Sequence, residues 1–274
     1  GQVATVGEGD NQLQGTGGAA IIGDGFYASG DDQLVIDANG DGDITAPNDY
    51  VISSASSIAA SDVNFVVNAG DGADLIRGGQ GADTLNGGAG DDIFVLVGEI
   101  TADDRDAYQL AGAGVVSVDI ADVLDYNELT SVRTATEVNS GDSVFGGDDT
   151  DTLHLYGSFD MSLIDIDEDN DTVSEIENIV VHSNMIISAA QLAELAANGG
   201  SLIFDGNSPH SVTVVDQNGA PLADALAELI NSGVGMQLSN PGANTSFEFG
   251  GVALTLNEFY SQLATLVADT AANL

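Results

Sequence analysis

This chain of 274 residues contains no cysteine, no tryptophan and no lysine. Without cysteine, no disulfide can crosslink the fold, and a large aromatic core built around tryptophan is also excluded. Without lysine, the positive charge rests on Arg77, Arg105 and Arg133 alone, against 44 acidic residues and for a formal net charge of −41. Such a polyanion repels nucleic acid and anionic membrane surfaces, so both are excluded as partners. No apolar run approaches the roughly 20 residues that span a bilayer, and membrane insertion is not expected. Gly1-Gln2-Val3 is neither an initiator methionine nor the start of a signal peptide, so the sequence reads as a piece of a longer polypeptide. Self-repulsion on this scale opposes a compact state, yet 43% of the residues are hydrophobic, enough to form a core. Cations bound within the fold are the economical resolution.

What the chain does have is glycine in a fixed period. Residues 69–95 read AGDGADLIR, GGQGADTLN and GGAGDDIFV, three nine-residue units that align without a gap. In each, a Gly-rich turn ends in an aspartate (Asp74, Asp83, Asp92), and two residues later stands Ile76, Leu85 or Phe94. Glycines at positions Gly70, Gly72, Gly79, Gly81, Gly88 and Gly90 permit positive φ and let the next coil stack closely. The short strand after each aspartate sends its apolar residue inward. A flexible acidic linker would have no reason to keep aspartate and apolar positions in phase over three units. If successive turns fall on alternate sides of a roll, Asp74 and Asp92 share one edge and Asp83 lies on the other. The units resemble the repeats-in-toxin (RTX) nonapeptide G-G-x-G-x-D-x-U-x, which implies a parallel β-roll loaded with several calcium ions. Calcium takes six to eight oxygens, and a carboxylate together with turn carbonyls from stacked coils supplies them.

The period returns after a break. NSGDSVF and GGDDTDTLH place Asp142 and Asp151 in phase, with Val144 and Leu153 at the apolar positions, so the same roll is expected to resume after an insertion. Asp160 continues the count without an apolar partner, and Asp149 stands where a turn glycine belongs. The intervening residues 99–136 are an excursion from the scaffold, read either as a binding loop or as a solvated loop. The exit through LHLYGSFDMSLIDIDEDNDTVSEIENIVV resembles the way RTX surface proteins leave the roll.

A second metal-like phrase lies upstream. DANGDGDITAPND, residues 37–49, resembles an EF-hand or dockerin loop: Asp37, Asn39 and Asp41 match positions 1, 3 and 5, Gly42 matches the turn glycine, and Ile44 the apolar position 8. Position 12 is Asn48 rather than glutamate, with Asp49 one step late; Asp43 and Asp49 complete the candidate oxygen set. No amphipathic helix precedes it, so the loop is expected without a helix pair. The alternative is a solvated cluster of Asn-Gly and Asp-Gly turns.

The last hundred residues alternate strand and short helix: 185–187 with AAQLAELA, 212–215 with PLADALAELI, and 252–254 with NEFYSQLATLV. Ser188 with Gln191 and Thr255 with Glu258 fit capping boxes, Pro221 suits a first helical position, and Gly199-Gly200 and Gly233 suit helix ends. Leu226, Leu229 and Ile230, and Phe259, Leu263 and Leu266, give each helix one apolar face. The expected architecture is therefore all-β dominated. An N-terminal β region with the calcium loop (1–60) leads into a first RTX segment (61–98), the insertion (99–136), a second RTX segment (137–182) and a β-helical continuation closed by capping helices (183–274).

Little points to catalysis. His154, His182 and His210 are read as surface residues, no carboxylate pair stands out, and no nucleophile elbow or phosphate-binding loop occurs in the right context. The resemblance implies type I export to the cell exterior. The function expected is a non-enzymatic, calcium-dependent module of a large bacterial RTX adhesin, monomeric within its longer chain, binding an extracellular peptide, protein or glycan. An S-layer fragment is one alternative. An accessory carbohydrate-binding module of a secreted enzyme is another, disfavoured for polyanionic glycans because three arginines make no basic groove.

Overall fold

The computed structural model of the chain describes residues 2–5, 19–22, 34–36, 50–52, 65–71, 73–80, 83–117, 120–121, 124–137, 142–163, 173–206, 209–239 and 245–262. The candidate loop of Asp37, Asn39, Asp41, Asp43 and Asp49 lies outside the described residues, as do Gly72 and Gly81.

The strands in chain order begin with β1 (Gln2–Thr5), β2 (Ala19–Ile22), β3 (Leu34–Ile36), β4 (Tyr50–Ile52), β5 (Phe65–Asp71), β6 (Leu75–Ile76), β7 (Thr84–Ala89) and β8 (Ile93–Val97). After the insertion come β9 (Ser143–Asp148), β10 (Thr152–Tyr156), β11 (Phe159–Asp160), β12 (Val173–Ser174), β13 (Asn178–Val181) and β14 (Asn184–Ser188). The last are β15 (Ser201–Asp205), β16 (Pro209–Val215), β17 (Gly235–Ser239), β18 (Ser246–Phe249) and β19 (Val252–Leu254). They form three long sheets: β1-β2-β5-β7-β9-β12, β17-β15-β13-β10-β8-β6 and β11-β14-β16-β18-β19. Every neighbouring pair in them is parallel except β18 with β19. This is a parallel β-roll that passes into a β-helix, as the period requires.

Stacking in register explains the apolar positions. In the second sheet Ile76, Phe94, Leu153, Ile179 and Leu202 sit one above another, and each is at most 1% exposed. In the first sheet Leu85, Val144 and Val173 do the same at 2, 1 and 4%. Because a strand alternates faces, one apolar residue per unit suffices to build a continuous core down the solenoid. The pairing of β7 with β9 and of β8 with β10 shows the roll resuming across the insertion as if nothing intervened.

Coils after β12 no longer return to the first sheet. Its place in the order of each coil is taken by helices α3 (Ala189–Ala197) and α4 (Ala225–Ser232), which follow α1 (Ala102–Ala111) and α2 (Tyr126–Leu129) of the insertion. The Ser188/Gln191 box caps α3 at both ends of its reciprocal pair, and Gly233 closes α4 in the left-handed conformation. Pro221 does not open α4: it bridges to Val215, and Asp224 caps the helix by accepting from the Ala227 amide at 3.0 Å. Toward the end of the described residues β19 turns back antiparallel on β18, and helical residues 256–262 seat Phe259 among Phe204, Phe247 and Phe249. Turning the final strand round ends a ladder that would otherwise keep recruiting parallel neighbours.

Among the described residues the insertion is folded, which corrects the reading of it as a solvated loop. Tyr108, Val115, Ile120, Leu124 and Leu129 are all at most 2% exposed and join the main core. The cause lies in two capping boxes at its helix starts, Thr101 with Asp104 and Asp125 with Glu128, followed by apolar residues at helical spacing.

Candidate metal centre

The coils of β5 to β10 turn at corners that carry the ladder aspartates. At the corner between the first and second sheets, the Asp74 amide donates to Asp92 Oδ1, the Asp92 amide to Asp151 Oδ1, and the Asp151 amide to Glu177 Oε2, each at 2.8 Å. The backbone repeats the pattern, with Ile93, Thr152 and Asn178 amides donating to the carbonyls of Asp74, Asp92 and Asp151 at 2.8, 2.8 and 3.0 Å. At the opposite corner the Asp83 amide donates to Asp142 Oδ1 at 2.8 Å. The structure thus brings Asp74, Asp92 and Asp151 together on one edge and Asp83 with Asp142 on the other. Glu177 was missed; its signal was the spacing Glu177-Asn178-Ile179, which repeats the aspartate-to-apolar interval with a glutamate.

Glycine placement follows from the same stack. Gly79, Gly88 and Gly90 have φ of 99°, 114° and 128°, whereas Gly70 lies in β5 opposite Gly88. The first glycine of a unit is sterically constrained: a Cβ on Gly87 would run into the Asp92 carboxylate and the Gly146 carbonyl. The carboxylate therefore folds back over the glycine that begins its own turn. Asp149 takes the place of Gly90 one coil on and holds a φ of 85°, a conformation costly for any residue with a Cβ.

The ladder carboxylates are buried: Asp74, Asp83, Asp92, Asp142 and Asp151 are exposed by 2, 2, 0, 6 and 0%. Burial is the main force that pushes Asp92 up to about 6 and Asp151 up to about 7, and neighbouring carboxylates add to it. Asp92 Oδ2 and Asp151 Oδ2 are enclosed without a hydrogen-bond donor. One oxygen of each carboxylate is engaged by an amide while the other meets no donor, which is the polarity a hard cation satisfies. Among the described residues no three His, Asp or Glu side chains converge, so side chains alone would not complete a calcium shell, and turn carbonyls are the remaining oxygens.

The sequence profile of the RTX calcium-binding nonapeptide repeat, four copies long, matches residues 66–95. Residues 66–95 are RTX calcium-binding repeats. RTX repeats bind calcium, and the RTX segment coincides with β5 to β8 and with both carboxylate edges at their start. No curated protein and no solved structure matches the chain. RTX repeats are typical of secreted proteins, and among the described residues no helix is long and apolar enough to cross a membrane.

The histidines are not surface residues. His182 and His210 are 4 and 2% exposed, and His154 is half-buried. His154 Nδ1 lies 3.0 Å from His182 Nε2, and His182 Nδ1 lies 3.1 Å from Asp205 Oδ2, with Tyr156 stacked on His182 at 3.8 Å. Burial holds His154 down to about 3 and lowers His182 as well, against the pull of Asp205, so burial disfavours charge on both rings. The outer face of the second sheet is buried there because the insertion covers it: the Tyr156 hydroxyl donates to the Val115 carbonyl at 3.1 Å. An outward strand position becomes interior when an insertion folds back over it, which a repeat period does not encode.

Proposed function

We propose that this chain is a non-catalytic, calcium-rigidified module of a large secreted bacterial RTX adhesin, presenting a surface for a peptide, protein or glycan. The observation that carries the reading is the pair of enclosed carboxylate oxygens, Asp92 Oδ2 and Asp151 Oδ2, in a ladder that runs unbroken from the RTX segment into the coils beyond the insertion. On this reading Asp74, Asp92 and Asp151, with turn carbonyls around Gly70, Gly72, Gly88 and Gly90, hold calcium on one edge. Asp83 and Asp142, with carbonyls around Gly79 and Gly81, hold it on the other, and the 37–49 loop is a further site. Bound calcium supplies the charge that buried carboxylates lack, while the amide bonds to their other oxygens fix each carboxylate against its neighbour coil.

Rigidity matters because the surface that calcium would set lies between elements far apart in sequence. Helix α1 of the insertion and the β18–β19 hairpin flank a cleft of about 310 Å³ lined by Asp103, Asn184, Ser211, Phe247 and Glu248. Asp104 holds the insertion in place there, accepting from Ser158, Ser183 and Asn184 side chains.

Circular dichroism with and without chelator tests the reading. Because ion binding is then part of the folding energy, strand signal should fall in chelator and return with millimolar calcium. An unchanged signal would count decisively against it. A peptide and glycan array probed in calcium then identifies the ligand, whereas assembly into sheets at millimolar calcium would mark a lattice-forming protein instead.

A further inference from the structure

Arg77 is 1% exposed, where an isolated guanidinium would be strongly disfavoured. Its Nε and Nη2 donate to Glu137 at 2.9 and 2.5 Å, and its Nη2 and Nη1 donate to Glu128 at 2.9 and 3.4 Å. Arg133 Nη1 reaches the same Glu137 at 3.0 Å, and the Val97 amide donates to Glu137 Oε2 at 3.1 Å. Burial by itself would lower the basicity of Arg77, but the two glutamates outweigh it and hold the guanidinium firmly charged. Two of the three arginines in a chain of net charge −41 are thus concentrated at one point.

That point has a defined place in the repeat. Arg77 precedes Gly78, the first residue of the 78–83 turn, where a Cβ would collide with the Asp83 carboxylate. In the next coil the position of Gly78, five residues before the ladder aspartate, falls on Glu137. A side chain at this position cannot lie as the glycine does. Its carboxylate instead closes on Arg77 of the coil before, on Arg133 and on the Val97 amide. Glu128 comes from α2 of the insertion, so one guanidinium joins the RTX segment, the resumed roll and the insertion.

We propose that Arg77 is a resident counter-cation at the start of this turn, supplying between coils part of the positive charge that calcium supplies along the two aspartate edges. It thereby fastens the insertion at a junction that needs one ion fewer. The inference rests on the calcium reading above. Its chemistry is plain: a bidentate guanidinium satisfies two carboxylates with fixed geometry and no exchange with solvent ions.

The test is a calcium titration of the full chain followed by circular dichroism, with Arg77→Met, Arg77→Lys and the charge-balanced Arg77→Met/Glu128→Gln/Glu137→Gln. Removing the guanidinium leaves buried carboxylates short of positive charge, so the calcium midpoint should rise about tenfold in Arg77→Met. Arg77→Lys should fall between, and the triple variant should return to within about threefold of wild type. If Arg77→Met folds at no calcium concentration, recovery by the triple variant supports the proposal and failure to recover overturns it. An unchanged midpoint in Arg77→Met overturns it too, while leaving the calcium reading intact. A wild-type chain indifferent to calcium would remove both.

Discussion

Replacing Asp92 with asparagine should have opposite effects with and without calcium. The side chain is 0% exposed, and Oδ1 accepts the Asp74 amide at 2.8 Å, a bond that the asparagine oxygen can keep. What changes is the charge. Without metal, burial pushes Asp92 up to about 6, some two units above an ordinary aspartate near 3.9. At pH 8 the ionised carboxylate therefore costs the metal-free fold on the order of 3 kcal/mol. Part of that relief is lost because the new amide N–H group is itself buried and must shed its water, so the net stabilisation expected is roughly 1–2 kcal/mol. In calcium the same substitution removes a charged ligand, and the midpoint for folding should rise roughly tenfold or more. Chemical denaturation of wild type and Asp92→Asn at pH 8, in chelator and in 5–10 mM calcium (about the range that saturates weak extracellular sites), reads both signs. Where the chain is unfolded in chelator, the osmolyte concentration needed to fold it replaces the melt, and it should be lower for the variant. A variant that is equally destabilised in both conditions would refute the reasoning, because a merely structural carboxylate would show no reversal.

Three further outcomes follow from the same geometry. Asp92 and Asp151 at about 6 and about 7 hold protons more tightly folded than unfolded, so they favour the metal-free fold at low pH and lose that contribution as pH rises through 6 to 7. Calcium must displace those protons, so its midpoint should move to higher concentration as pH falls from 7.5 to 5.5 (a range set by these two values), and Asp92→Asn/Asp151→Asn should flatten the dependence. Asp92→Ala and Asp151→Ala, which share a rung, should couple in calcium affinity by about 1 kcal/mol or more, whereas Asp83→Ala and Asp92→Ala, on opposite edges, should be nearly additive; a double-mutant cycle in calcium titrations decides. Phe259→Ala removes a ring stacked 4.3 Å from Phe247 at the closing end and should cost about 3 kcal/mol, read as a lower thermal midpoint in saturating calcium with calcium affinity itself little changed.

The roll was legible because its information is local. Nine residues specify one turn and one strand, and phase alone predicted that Asp74 would stand over Asp92 and Asp83 would not. The Ser188/Gln191 and Thr255/Glu258 boxes were legible for the same reason, since the bonds close within three residues; the second shows its threonine amide donating to Glu258 at 2.7 Å. Pro221 misled because φ compatibility at a helix start is permissive, and Asp224 offered an actual acceptor to the Ala227 amide. The insertion misled because its period is helical and short, and its two capping boxes were overlooked beside a dominant nonapeptide.

By itself, then, the amino-acid sequence determined the coil length, the inward residue of each strand and the two carboxylate edges. Only the tertiary structure decided that Glu137 would meet Arg77 across 60 residues, that the insertion would cover the outer face of the second sheet, and that His182 would be interior. The reason is one of range. A solenoid stacks neighbours in a repeating order that sequence spacing records, but an excursion that leaves the stack and folds back chooses its partners by shape and charge in space.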